Sequence, residues 1–587
     1  MSLQARERFA RVMEKAVFPL ILLLYSLRHI RYGIDLADTA YNYANFRYMG
    51  TAHMDPMWLF STYLATAVGH VLTLLPGGHT LLFMNLYTGL FAGTLAVISY
   101  VFCRKRLHIP AWIVFLGEFV ALSLCWCPTS LLYNYLTYLL FFGCLFLLYD
   151  GLTKEKRSFL VLAGALLGTN VFVRFSNLPQ MALILVVWGY GIICRKKFGK
   201  VAQETGWCVL GYGAAAGIWL SLLAARYGIE TYIEGIKRLF SMTDTASDYK
   251  ASSMLLGMLK SYADMGYWVL RIGVFFGAAL VVCFLFRRKA PWACRIFSAI
   301  MALASVVWLY TRGFCPPPFY EYTAMLRPAT LFLLGALCVC ALRLLQKKTP
   351  KEEKLLAMLT AMQILLSAIG SNNLLYPSIN SLFVAAPYLF FCLYRLCRET
   401  ELFPAKAFAL VLTAVFAFQS IGFGAVFVFG EPGGVKKLDT KVENNAILRG
   451  VRTNSERAEQ LSELSAYVTE NGLGGSEVIL YGNIPSLSFY LEMPSAFNPW
   501  SDLASYKTSV LKEALSSLSH PPVIILEAKY GKFLSEGEAG LLQAGYTEKE
   551  VSAAAADGKF AAIVAYMDEL GYTQQFCNEK FSLYEVK

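Results

Sequence analysis

The sequence predicts an α-helical polytopic membrane protein of about 13 transmembrane helices with a C-terminal extracytoplasmic α/β domain. Three observations lead there. Hydrophobic residues make up 57% of the 587 and charged residues 16%, against roughly 45–50% and about 25% in soluble proteins. Apolar runs of spanning length recur between residues 16 and 430. Beyond Gly430-Glu-Pro-Gly-Gly434 those runs stop and amphipathic patterns begin. A soluble 65.4 kDa chain has no interior large enough to hide this much apolar surface. Collagen, a disordered chain, a disulfide-rich secreted module and a cytosolic enzyme are thereby excluded.

The apolar runs fall near 16–32, 58–76, 80–102, 111–128, 129–150, 158–174, 178–194, 205–225, 266–286, 296–311, 328–346, 355–371, 380–397 and 407–430. About 20 residues cross the hydrocarbon layer. Basic clusters at 6–15, 104–106, 154–157, 195–200, 287–295, 347–354 and 395–406 separate them. If every cluster is cytoplasmic, each interval must hold an even number of spans. The interval before Arg104 holds three runs, so one of them does not cross. We expect 58–76 to lie on the outer surface, leaving the amino terminus inside and residues 431–587 outside. The first run, interrupted by Arg28 and Arg31, reads as an uncleaved signal anchor.

The net charge of +12 hides a split. Residues 431–587 carry 14 Lys and Arg against 21 Asp and Glu. The positive excess therefore sits in short loops between apolar runs, as the positive-inside rule expects, and is no sign of nucleic-acid binding. Most of the 14 cysteines lie inside apolar runs, where Cys acts as a small hydrophobe.

In the last 157 residues, 455–471 reads as an amphipathic helix with Ala458, Leu461, Leu464 and Val468 on one face. Residues 477–481 and 522–527 read as buried strands, 505–518 and 560–570 as helices, and 580–586 as a last strand.

No P-loop and no dinucleotide fingerprint occurs, and no cytoplasmic loop is large enough to fold around a nucleotide. Bulky chemistry is therefore expected outside, with any activated donor carried in the membrane. The segment after the first run, DLADTAYNYANFRYM at 35–49, sets Asp35 and Asp38 beside Tyr41, Tyr43 and Arg47. A carboxylate beside aromatics at a membrane surface suits a general base acting on a sugar or its acceptor. A solvated loop acid beside an interfacial aromatic belt gives the same pattern.

Four segments in order resemble the glycosyltransferase C superfamily, in its bacterial mannosyltransferase and aminoarabinose-transferase-like branch. Asp38-Thr-Ala-Tyr41 is similar to the branch's Asp-Glu-x-Tyr motif, with Thr39 in place of the second acid. HMDPM at 53–57 resembles a His-Pro-Pro-Leu motif interrupted by Asp55. GTNVFVRFSNLP at 168–179 and YGNIPSLSFYLEMP at 481–494 resemble its Gly-rich run and the opening of its outer domain. The resemblance implies a membrane glycosyltransferase that moves a sugar from a polyprenyl-phosphate donor to a hydroxyl of a glycan, lipid or protein, with inversion. It implies Asp38 as base; Asp35, one helical turn away on the same face if this stretch is helical, would support it, and Tyr41, Tyr43, Arg47, His53 and Asp55 of the same segment, with Tyr320 and Glu321 of the loop 312–327, are the candidates for contact with acceptor or sugar.

Arg174, Arg271, Arg312 and Arg327 fall outside or in the outer leaflet under this topology, where positive charge is disfavoured. Arginine holds phosphate oxygens in a bidentate fork, so these four are the candidates for the donor phosphate; snorkelling to headgroups is the alternative. Glu118 lies inside an apolar run and is either functional or held by an interhelical hydrogen bond. Residues 312–327, a Pro-stiffened aromatic loop, contact substrate or form an interfacial turn. His53, His70 and His79 match no standard metal spacing; no cofactor is assigned and a divalent metal stays open.

Two rival functions remain at this stage. A flippase of lipid-linked saccharides would favour internal repeats and helices broken at matching places in two halves, which the sequence lacks. A surface module merely anchored by its helices would not need so many of them. The chain holds no Asn-x-Ser/Thr sequon, which points to a bacterial plasma membrane.

Overall fold

The computed structural model describes residues 3–54, 56–243, 251–315, 317–503 and 505–586. Every predicted apolar run is helical for most of its length. Among the described residues, eight helical stretches are long and apolar enough to cross a bilayer: Leu81–Arg106, Leu132–Thr153, Phe175–Cys194, Phe198–Tyr227, Met254–Phe286, Pro291–Thr311, Tyr322–Leu345 and Phe403–Val426. That is fewer than the expected 13. The other runs form shorter helices, among them Ala111–Ser123, Arg157–Val173, Lys351–Ala368 and Ala385–Glu399.

The run at 58–76 breaks into Pro56–Ser61 and Tyr63–Thr73. Eleven residues at 1.5 Å each rise about 16 Å, half of a hydrocarbon core of about 30 Å, so neither piece crosses by itself. The first helical stretch ends at Tyr25, ahead of Arg28. The Arg28 guanidinium is absorbed by backbone: Nε donates to the Gly424 carbonyl at 2.6 Å and Nη2 to Leu122 at 3.3 Å.

Small residues set the closest helix pair. A Cβ on Gly164 would meet the Cys208 carbonyl at 1.8 Å, and one on Gly211 would meet Val161 at 1.9 Å. Helices Arg157–Val173 and Phe198–Tyr227 therefore touch backbone to backbone, the contact small residues permit between apolar helices. Glu118 accepts a hydrogen bond from Ser99 at 2.6 Å. That bond joins helix Ala111–Ser123 to Leu81–Arg106, which is the interhelical alternative.

Beyond Val426 the chain forms a two-stranded ladder, β1 (Thr440–Lys441) with β2 (Arg452–Thr453), and a four-stranded sheet. The sheet comprises β3 (Val478–Tyr481), β4 (Val523–Glu527), β5 (Tyr572–Cys577) and β6 (Phe581–Val586), in the order β3-β4-β6-β5. β3 and β4 are parallel, and the other pairs antiparallel. Alternation along β3 and β4 builds two cores. Val478, Leu480, Val523 and Ile525 pack with Leu461, Leu464 and Val468 of helix Ser455–Glu470. Ile479, Tyr481, Ile524 and Leu526 pack with Leu511, Leu541, Phe560 and Ile563 on the other side.

The first of these cores does not stop at the α/β part. Ile34, Tyr43, Phe46, Leu81 and Met84 belong to it. The segment after the first helix is thus a buried wedge between the helical bundle and the sheet, and the solvated-loop reading does not describe it.

Candidate functional site

Helix Asp38–Arg47 owes its position to the residues ahead of it. Asp35 accepts the Ala37 amide at 3.1 Å on Oδ1 and the Thr39 amide at 2.8 Å on Oδ2, satisfying donors at the helix start. Ser486, just past β3, has its hydroxyl oxygen 3.1 Å from the Ala40 amide and 3.2 Å from that of Tyr41, and donates to the Ala37 carbonyl at 2.8 Å. Tyr490 donates to the Asp35 carbonyl at 2.7 Å. The α/β part therefore grips the first turn of the helix.

The two aspartates end in different roles. Asp35 lies before the helix, and its carboxylate is spent on backbone. Asp38 is the first helical residue. Its half-buried carboxyl makes no hydrogen bond among the described residues. Burial, reinforced by the charge of Asp35, pushes it up to about 7.

A chain of aromatic contacts leads from this helix to Arg174. The Trp58 indole donates to the Tyr41 hydroxyl at 2.8 Å. Trp58 and Tyr133 have ring centroids 6.4 Å apart. The Arg174 guanidinium lies 5.2 Å from the Tyr133 centroid and donates from Nη1 to Asn134 at 3.2 Å. Arg174 stands where helix Arg157–Val173 gives way to the 3-10 stretch Phe175–Leu185, so the helix end aims it. Trp500 of the α/β part meets Tyr41 edge-on at 5.8 Å. Sequence reasoning missed Trp58, Tyr133, Asn134 and Trp500. Trp58 opens one apolar run and the Tyr-Asn pair lies near the start of another, and that edge position was the available signal.

The remaining candidates scatter. Tyr43 is fully buried, and its hydroxyl bonds to Asn85 at 2.9 Å and Thr88 at 3.0 Å, so it packs the wedge and offers nothing to a ligand. Arg47 pairs with Glu492 at 2.5 Å, tying the helix end to the α/β part. His53 Nδ1 meets Glu477 at 3.0 Å, and the other oxygen of Glu477 meets His520 at 3.2 Å. Asp55 lies outside the described residues. Arg327 donates to the Gly313 carbonyl at 2.9 Å and covers Trp268, whose neighbour Tyr267 carries Arg271. Exposed Arg312 caps helix Pro291–Thr311 nearby. No contact among the described residues joins these three to Arg174, so the four arginines do not form one pocket. Tyr320 and Glu321 are exposed on the loop between. His70 Nδ1 lies 2.8 Å from the Phe46 carbonyl and His79 is exposed. Among the described residues no group of three or more His, Cys, Asp or Glu side chains is placed to hold a metal ion.

Two cavities flank the helix. One of ≈ 120 Å³ is lined by Arg28, His29, Asp35, Thr39 and Cys127. A larger one of ≈ 670 Å³ opens between the helix and the α/β part, with Tyr41 in its wall.

No protein-family model and no curated protein matches the chain. Solved structures are similar to it. The oligosaccharyltransferase of Archaeoglobus fulgidus, in complex with Zn and sulfate, shares 12% identity at a TM-score of 0.46, over 92% of this chain and 70% of that one. ArnT from Cupriavidus metallidurans in the apo state shares 12% identity at 0.41, over 98% and 97%. ArnT bound to undecaprenyl phosphate gives the same identity and coverage at 0.40.

Proposed function

We propose that this protein is an integral membrane glycosyltransferase. It transfers a sugar from a polyprenyl-phosphate donor to an acceptor hydroxyl at the outer face of a bacterial plasma membrane. The observation that carries the reading is Asp38, a carboxyl with no hydrogen-bond partner among the described residues, held near neutral and linked through Tyr41, Trp58 and Tyr133 to a guanidinium with donors to spare. The motif order supplies the donor class.

The acceptor hydroxyl oxygen attacks the anomeric carbon while the bond from that carbon to the phosphate oxygen breaks. Asp38 takes the hydroxyl proton. A base is most effective when its pKa lies near the working pH, and such catalysis contributes typically 10²–10⁴-fold. The phosphate departs as an anion and needs no proton donor, so one carboxylate suffices where glycoside hydrolysis uses two. Arg174 stabilises the charge developing on the phosphate. Attack from the face opposite the phosphate inverts the anomeric centre. Asp35 acts as a positioning residue through the helix start.

Proteoliposomes loaded with a radiolabelled polyprenyl-phosphate sugar test this. Transfer to an acceptor, dependent on Asp38, supports it. Translocation without transfer would identify a flippase, and neither activity would leave a surface module.

A further inference from the structure

Two helix faces oppose each other across the ≈ 670 Å³ cleft. Tyr41, Ala44, Asn45 and Tyr48 line one wall, spaced as the i, i+3, i+4 and i+7 positions of a single helical face. Asp38 precedes Tyr41 by three residues and so stands at the end of that same face. Val510, Glu513, Ala514 and Ser517 repeat the spacing on the other wall, along helix Thr508–Ser516 and its cap. Residues 495–499, tied to β3 by the Ala496 amide on the Val478 carbonyl at 2.9 Å, close the floor with Phe497 and Asn498.

We infer that this cleft holds the acceptor and that the acceptor is a neutral oligosaccharide; the inference rests on the transferase reading of Asp38. Four features select that chemistry. The volume is that of a small-molecule site, within roughly 300–1,000 Å³. Tyr41, Tyr48, Phe497 and Tyr506 offer aromatic surface to the C–H faces of sugar rings. Asn45, Asn498 and Glu513 offer hydrogen-bonding groups to their hydroxyls, and Ser488, at 1% exposure, lines the same cleft with a hydroxyl that has no partner among the described residues. Among the described residues the charged lining is Lys507 with the carboxylates Glu234 and Glu513, and His53, paired with Glu477, stands in the same wall. A phosphorylated or uronic acceptor would need paired cations, and no arginine lines the cleft among the described residues. A lipid acceptor would need an apolar trough. An apolar trough of ≈ 510 Å³ lies apart from the cleft, among Phe276, Leu309, Leu331 and Phe416 of the helical bundle.

Saturation-transfer NMR on the full-length Asp38→Asn protein in nanodiscs, where turnover is blocked, tests the assignment. The probes are neutral linear tri- and tetrasaccharides, their uronic-acid counterparts, and Ser/Thr peptides. Neutral saccharides should bind, and adding Val510→Trp, which fills the cleft from an exposed position, should weaken them at least about 10-fold. Adding Glu513→Gln, which keeps the shape, should weaken them less. Preference for uronic saccharides or peptides, or binding indifferent to both substitutions, overturns the inference. Sugar transfer from the radiolabelled donor to a total membrane extract, by protein carrying Asp38, tests the transferase reading separately. Transfer without saccharide binding overturns only the acceptor assignment, and no transfer overturns the reading beneath it.

Discussion

Tyr41 and Arg174 lie at the two ends of one line of side chains. Trp58 hydrogen-bonds Tyr41 at 2.8 Å and faces Tyr133, whose ring lies under the Arg174 guanidinium at 5.2 Å. The line runs from a helix gripped by the α/β part to the broken end of a bundle helix. It fixes a carboxyl and a guanidinium in one frame although 136 residues separate Asp38 from Arg174.

Arg174→Lys keeps the charge and loses the fork, so donor binding should weaken measurably, by about 10-fold. Arg174→Ala should weaken it further. Titration of a fluorescent polyprenyl phosphate reads both. Unchanged affinity in Arg174→Ala would leave this arginine a snorkelling residue.

Activity should rise with pH through about 7, because the Asp38 carboxyl, raised by burial and by Asp35, must lose its proton to act as base. Asp35→Asn removes the neighbouring charge, so the midpoint should move to lower pH. A pH–kcat profile in proteoliposomes checks both directions.

The two aspartates should affect stability in opposite senses. Asp38 has a folded pKa above its unfolded value, so the folded protein binds more protons and loses stability as pH rises through the window between about 4 and 7. Above that window Asp38→Asn should raise thermal stability, by on the order of 1–3 kcal/mol. Asp35→Ala should lower it at pH 6, by about 1–3 kcal/mol, because buried helix-start amides lose their acceptor, and the loss should shrink as pH rises because burial also raises the Asp35 carboxyl. Detergent melts at pH 6 and pH 8.5 separate the pair.

Membrane-impermeant thiol reagent applied from outside should reach the exposed native Cys577 and a cysteine placed at exposed His79, and not one placed at Lys197. Labelling at 197 with protection at 79 would reverse the proposed orientation.

Much of this architecture was legible in the sequence. Helix Ser455–Glu470 buries Ala458, Leu461, Leu464 and Val468, the stripe its periodicity showed. β3, β4 and β6 follow from short apolar runs. β5 escaped because YTQQFC, an edge strand with largely exposed side chains, has no apolar alternation to detect. Helix Ala528–Gln543 escaped because Gly531, Gly537 and Gly540 dilute its pattern. At the site, local spacing singled out Asp38 and Arg174 as candidates but could not show that Tyr43 faces Asn85, or that Arg271, Arg312 and Arg327 gather elsewhere. Those facts depend on contacts between residues far apart in the chain. Asp35 looked like a second acid for chemistry because its bonds to the Ala37 and Thr39 amides arise only once the chain turns into the helix.

The most direct test is sugar transfer by Asp38→Asn in proteoliposomes, with donor binding measured on the same preparation. The substitution keeps the shape of the side chain and removes its basic oxygen. We expect transfer to fall at least about 100-fold while donor affinity and folding persist. Near wild-type turnover in Asp38→Asn would contradict the assignment of Asp38 as the base.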